Sequence, residues 1–166
     1  MVYKLILLAL FLFGGYQLQD NLDFEKNKSA EQDEVVSAEV IRVIDGDTIE
    51  VTIDGKVEKV RYIGIDSPEP YSEEVPECFS KEASMANRNL VENKKVTLVP
   101  DLEDRDRYDR LLRYVYVGDV FVNKELVKDG FAEAINIKTN STHYNEFLSL
   151  EEQARTEGKG MWGVCS

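Results

Sequence analysis

At 166 residues, with 43% hydrophobic and 31% charged side chains, the chain has the length for one globular domain and too much apolar content for wholesale disorder. Its 32 acidic against 20 basic side chains leave a formal net charge of -12, which repels a polyanion at long range and argues against a passive nucleic-acid coat protein. An enzyme is not excluded, because carboxylates gathered around a divalent cation become locally electropositive once the cation is bound.

Lys4 precedes an unbroken apolar run over residues 5–13, followed by Gly14 and Gly15. The run falls short of the ~20 residues that a membrane-spanning helix needs, so residues 1–19 read as a secretory signal peptide. An N-terminal membrane anchor is the alternative, since no small-x-small cleavage site stands before Gln17. The chain is therefore expected to be secreted, or held at the outer face of a membrane by an uncleaved tether at residues 5–16. No cysteine follows the run to accept a lipid. Residues 20–37 are polar, lack a hydrophobic period and read as a flexible linker, which leaves residues 38–166 as the folded domain.

The domain opens with β patterning. Strands are predicted over residues 40–44 and 48–53, the second with Ile49, Val51 and Ile53 alternating against Thr48, Glu50 and Thr52, and Asp54-Gly55 is a hairpin turn. A third strand is predicted over residues 57–65, placing Arg61 on the face of Ile63 and Ile65 by the period of two. Residues 80–93 predict a helix with Ala83, Ala86 and Leu90 at helical spacing and Ser80 as its N-cap. Residues 96–99 return to strand. Beyond the charged loop 101–110, residues 111–117 form a strand that turns at Gly118-Asp119 into residues 120–122, and Asn123 caps a short helix ending before Gly130. The last helix is expected over residues 142–157, with Tyr144, Phe147, Leu150 and Ala154 along one face and Gly158 and Gly160 marking its end. Short strands with interposed helices indicate an α+β domain: a small Greek-key barrel with helices on one side, an architecture that often binds nucleic acid or oligosaccharide.

Cys78 and Cys165 are the two cysteines. In an oxidising compartment they are candidates to pair, closing a loop of most of the domain for a stabilisation of roughly 4 to 5 kcal/mol less any strain; two free thiols are the other reading. Together with the single His143 they cannot supply a structural zinc site.

Three segments carry the chemistry: residues 43–48 (Val-Ile-Asp-Gly-Asp-Thr), 61–69 (Arg-Tyr-Ile-Gly-Ile-Asp-Ser-Pro-Glu) and 106–110 (Asp-Arg-Tyr-Asp-Arg). Hard divalent cations take carboxylate and carbonyl oxygens, which Asp47, Asp66 and the turn at Ser67-Pro68 supply. The planar forks of Arg61 and Arg110 match phosphate oxygens and the charge that grows in a phosphoryl transition state. Glu69 stands three residues beyond Asp66, suited to holding or deprotonating an attacking water. Singly, each segment is an ordinary turn or a solvated loop.

Taken in order, these residues resemble the thermonuclease (staphylococcal-nuclease-like) family over about residues 39–162. The matching elements are residues 43–48, Arg61 leading into residues 65–69, Glu82-Ala83, Asp106-Arg107-Tyr108 with Arg110, Val122-Asn123 with Leu126-Val127 and Gly130, and the close from Ala154 to Trp162 with Gly158, Gly160 and Met161. The resemblance implies a five-stranded OB-fold β-barrel with three helices. It also implies a calcium-dependent phosphodiesterase that cuts DNA and RNA at the 5′ oxygen and leaves 3′-phosphate ends. Asp47, Asp66 and the main-chain oxygen of Ser67 become Ca2+ ligands, Glu69 the general base or water positioner, and Arg61 and Arg110 the phosphate clamps. Tyr108 is a candidate substrate contact, and a monomer is the default. The chain departs from the family in three ways. Asp109 stands where glycine is usual, adding a negative charge that either weakens phosphate binding at Arg110 or pairs with Arg107. Residues 134–138 carry no aromatic residue where relatives place tyrosines near the base, and the chain is acidic overall. The competing expectation is a non-catalytic OB-fold nucleic-acid-binding module, which has no evident use for a carboxylate pair that repels phosphate without metal.

Overall fold

A computed structural model of the chain describes residues 35–70 and 75–165. The apolar segment at residues 5–16 and the polar stretch to residue 34 lie outside the described residues. Among the described residues no helix is long and apolar enough to cross a membrane.

Strand β1 (Val36–Val43) opens inside the stretch read as linker, because Val36 and Ser37 already pair with Leu98 and Thr97 of β5 (Lys95–Val99). Its inward face changes parity at a bulge. Val40 pairs with Val51 and Arg42 with Glu50, leaving Ile41 without a partner, so Ala38 and Val40 point inward before the bulge and Val43 after it. Strands β2 (Thr48–Ile53) and β3 (Lys56–Tyr62) form the expected hairpin, with φ of 48° at Asp54 and 79° at Gly55 as a two-residue turn requires.

The third strand does not reach residue 65. Gly64 takes φ 78°, the chain turns, and Ile65–Asp66 form a separate strand β4. Arg61 therefore does not share a face with Ile63 and Ile65: Val60 and Tyr62 fill the core on either side of it, and it points to the rim.

Strand β5 pairs antiparallel with β1 and with β6 (Leu111–Val117), and β6 runs parallel to β3 through Val60↔Leu111 and Tyr62↔Arg113. That last pairing closes the order β3-β2-β1-β5-β6 into a five-stranded barrel, the OB-fold of the α+β class. Its interior holds Ile49, Val51, Val60, Tyr62, Val96, Leu98 and Val115. Strand β7 (Val120–Phe121) extends β6, and β8 (Glu133–Ala134) pairs with β4 by Asp66↔Glu133.

Three helices pack on the barrel: α1 (Ser80–Val91), α2 (Val122–Lys128) and α3 (Tyr144–Glu157), and a single turn α4 (Met161–Val164) follows. Two of the expected caps are corrected. Ser80 is the first residue of α1, behind a Phe79 in left-handed conformation that makes no side-chain cap bond. Asn123 lies inside α2, where its buried amide accepts from the Val115 N–H at 2.9 Å and donates to the Ile63 carbonyl at 2.9 Å. It ties β6 to the turn that leads into β4. The last helix starts at Tyr144, two residues later than expected, and ends at Gly158 with φ 63°. Cys78 and Cys165 are bonded, with a Cα–Cα separation of 5.9 Å.

Candidate active site

The turn at residues 45–47, read from sequence as surface-like, is buried. Asp45 and Asp47 are 6% and 0% exposed, because the turn is roofed by α1 and by the segment after β4. Asn87 of α1 donates to the Asp45 carbonyl at 3.0 Å and accepts from the Tyr62 hydroxyl at 2.9 Å, both inside the core. Gly46 is required here: a Cβ would stand 2.6 Å from Ser67 Cβ and 3.0 Å from Ala83 Cβ.

Asp47 is the hub. Its Oδ2 accepts the Ser67 N–H at 2.6 Å, its Oδ1 accepts from the Thr48 hydroxyl at 3.1 Å, and Arg61 Nη1 lies 2.8 Å from Oδ1. Arg61 also donates Nη2 to Asp66 Oδ1 at 2.5 Å and Nη1 to the Ile65 carbonyl at 2.8 Å. One guanidinium thus holds both candidate metal-binding carboxylates and the backbone of β4. Glu69 stands at the exposed edge of this cluster.

The cluster is electrostatically loaded. Burial first, and then the Asp47 charge, push the Asp45 carboxyl up to about 7. Burial raises Asp66 against the pull of Arg61, with Asp47 adding to the rise. Glu69 is raised by its partial burial, then by Asp47, with Arg61 opposing. Carboxylates that repel one another in a low-dielectric pocket are chemically matched to a cation.

Among the described residues no three acidic, histidine or cysteine side chains converge into a ready cage. What the chain offers is an all-oxygen donor set, Asp47 and Asp66 with the Ser67 turn, in which the buried Ser67 Oγ has no hydrogen-bond partner. Oxygen-only donors that form an incomplete shell fit calcium or magnesium and not a thiolate- or imidazole-bound metal.

Arg110 lies on the other side of a cleft of about 490 Å³ lined by Arg61, Asp106, Tyr108, Arg110, Ile135 and Ile137, among others. It is set by Asp106, which accepts from Arg110 Nε at 2.6 Å and from the Arg110 N–H at 3.0 Å. Burial pushes Asp106 up, but the bonds from Arg110 and Tyr108 outweigh it and leave the carboxyl below the ordinary range. Asp109 occupies φ 63°, a left-handed position that explains the usual glycine and that aspartate tolerates. Its carboxylate is directed to Arg105 at 3.5 Å, whereas Arg107 lies over the Tyr108 ring at 4.7 Å and donates to its hydroxyl at 2.6 Å. Of the two alternatives for Asp109, pairing with Arg107 gives way to pairing with Arg105. Tyr108 is 65% exposed at the mouth of the cleft, and Ile135 and Ile137 form the wall where aromatic residues are missing.

The sequence-derived residues Asp47, Arg61, Asp66 and Ser67 are in direct contact and Glu69 adjoins them, while Arg110 and Tyr108 share with Arg61 the lining of one cleft. Sequence reasoning missed Asn87 and the role of Tyr62, whose partners lie 25 and 42 residues away, and read Asn123 as a cap when one of its partners is Ile63, 60 residues earlier. An asparagine at a core-facing helical position was the one available signal for Asn87.

Fold and site define a small OB-fold protein whose barrel rim sets buried carboxylates against two arginines around a cleft. Residues 59–164 match the family model described as Staphylococcal nuclease homologue. Over 124 residues the chain is 40% identical to a thermonuclease of Staphylococcus hyicus, covering 74% of this chain and 73% of that protein. A thermonuclease of Staphylococcus intermedius is 40% identical over 121 residues, covering 72% and 70%. The SPbeta prophage-derived endonuclease YokF of Bacillus subtilis is 40% identical over 134 residues, which are 78% of this chain but only 45% of the longer relative. The chain belongs to the staphylococcal nuclease family.

Proposed function

We propose that the chain is a calcium-dependent nuclease that hydrolyses phosphodiester bonds of DNA and RNA and leaves 3′-phosphate ends. The observation that carries this reading is that Arg61 and Arg110 line one cleft and that Arg61 is ion-paired to both Asp47 and Asp66. Relatives named thermonuclease and endonuclease support it.

In this reading a substrate phosphate enters between the two arginines. Arg110, held by Asp106, presents its remaining N–H groups to one side of the phosphate, and Arg61, whose Nη1 and Nη2 hold Asp47, Asp66 and the Ile65 carbonyl, brings its positive charge to the other as charge develops in the transition state. Asp47, Asp66 and the main-chain oxygen of Ser67 would hold calcium, which would supply charge neutralisation to the reacting phosphate. Glu69, raised above the ordinary carboxylate range, takes the proton of the attacking water or holds that water in line. Tyr108 offers a ring at the mouth of the cleft for an adjoining nucleotide. The apolar run at residues 5–13 supports an exported chain, cleaved or tethered, the setting in which a disulfide persists.

The test is hydrolysis of single-stranded DNA by the intact chain as wild type, Arg61→Ala and Arg110→Ala. Each substitution is expected to lower kcat/KM by about 100-fold or more. Equal rates in all three would remove the assignment.

A further inference from the structure

We infer that Glu77 and the Cys78–Cys165 disulfide act together as a positioning device for Glu69, so that hydrolysis by this chain is switched by the redox state of that bond. This rests on the reading of Glu69 as the group that deprotonates or holds the attacking water.

Glu69 follows β4, and both of its backbone polar groups are taken by one distant residue. Its N–H donates to Glu77 Oε2 at 2.8 Å, and its carbonyl accepts the Glu77 N–H at 3.0 Å. Glu77 is thus the anchor of Glu69 on its C-terminal side, as the Ser67 N–H bond to Asp47 is two residues earlier. Glu77 opens the turn into α1, its carbonyl accepting the Ser80 N–H at 3.1 Å. That turn contains Phe79 at φ 71°, a conformation that non-glycine residues hold only where the surroundings fix it. Two contacts fix it: the Phe79 ring stacks on Phe131 with centroids 5.7 Å apart, and Cys78 is bonded to Cys165.

The far end of the disulfide is itself anchored. The Cys165 N–H donates to the Met161 carbonyl at 2.8 Å, the Met161 N–H to the Gly130 carbonyl at 2.9 Å, and the Trp162 ring lies 3.6 Å from the Arg155 guanidinium. A cavity of about 230 Å³ lies between this anchor and the segment leading to Glu69, lined by Asp66, Pro68, Glu77 and Glu133 and by Met161 and Trp162, with the two cysteines in its wall. The electrostatics oppose the arrangement as well, since the Glu77 charge acts on Glu69, Asp66 and Glu133. A carboxylate among like charges, beside a cavity and on a left-handed turn, stays in place because it is tethered.

Reduction by a dithiol proceeds by attack of its thiolate on one sulfur and resolution by its second thiol. Two electrons pass to the protein, Cys78 and Cys165 end as thiols, and the reductant ends as a cyclic disulfide.

The experiment uses the full chain in five forms: disulfide-bonded, reduced with dithiothreitol and alkylated, Cys78→Ser/Cys165→Ser, Glu77→Ala and Glu77→Gln. Steady-state hydrolysis of single-stranded DNA and hydrogen exchange at the Glu69 amide are followed well below the melting temperature of the reduced protein. Reduction, the double serine variant and Glu77→Ala are expected to lower kcat about 10- to 100-fold, the scale of a small misplacement of a reacting group, with KM changed by less than about twofold. Exchange at Glu69 should accelerate in parallel, and Glu77→Gln, which keeps an acceptor oxygen, should restore both. Unchanged kcat and Glu69 exchange after reduction would overturn the inference, as would a uniform acceleration of exchange across the barrel. If Glu69 loosens on reduction but the disulfide form cuts no DNA, the positioning stands and the role given to Glu69 falls.

Discussion

Asp47 and Ser67, twenty residues apart in sequence, are joined by a single hydrogen bond in which the Ser67 N–H donates to Asp47 Oδ2 at 2.6 Å. The bond locks the turn before β2 to the segment after β4 and brings the two ends of the hairpin excursion into one site. It also means that the Asp47 carboxylate has both a structural and an electrostatic task, and the two can be separated by substitution.

Asp47→Asn keeps an oxygen for the Ser67 N–H and deletes the charge. Arg61 loses one partner but retains Asp66 and the Ile65 carbonyl, while Asp45, Asp66 and Glu69 each lose a repulsive neighbour. The amide nitrogen that replaces Oδ1 sets a donor against Arg61 Nη1 at a buried position, a cost that the relieved repulsion only partly offsets, so the metal-free variant is expected to be less stable than wild type by about 1–3 kcal/mol. Denaturant melts with and without calcium check this. The variant should lose stability without calcium and gain less than wild type when calcium is added, whereas a more stable metal-free variant would show that repulsion among the carboxylates dominates.

The same cluster fixes the pH dependence of the metal-free protein. Asp45 is raised to about 7, and Asp66 and Glu69 are raised too, so over this window the folded state binds more protons than the unfolded state. Stability should therefore fall as pH rises from about 4, the ordinary aspartate value, toward the raised values. Asp106, lowered by its bonds from Arg110 and Tyr108, acts oppositely and loses its contribution only as pH falls below the ordinary range. Thermal melts in chelator from about pH 4.5 to 8 should show a declining melting temperature that Asp45→Asn flattens, and calcium should stabilise more at the upper end, where its ligands are charged. A melting temperature that climbs through this range would contradict the assignment.

Much of this was legible in the sequence because it is local. The alternation over residues 48–53 with Asp54-Gly55, the run at residues 111–117 and the three segments that carry the aspartates, Glu69, Arg61 and Arg110 each declare themselves within ten residues, and they became β2, its turn, β6 and the candidate site. What escaped depends on partners remote in sequence. The Gly64 turn is held by Asn123, which reads as a cap until Val115 and Ile63 are seen on either side of it. Asn87 serves a carbonyl 42 residues earlier. The bulge at Ile41 follows from pairing with β2 and cannot be read from β1 alone.

The central claim is that the Asp47, Asp66 and Glu69 cluster, loaded with calcium and flanked by Arg61 and Arg110, hydrolyses phosphodiesters. The most direct measurement follows single-stranded DNA with the intact, disulfide-bonded chain in calcium, in excess chelator, and as Glu69→Gln in calcium. Hydrolysis should occur in calcium, stop in chelator, and slow by about 100-fold or more in the variant, the upper part of the range for loss of a general base. Equal degradation under all three conditions would contradict the account.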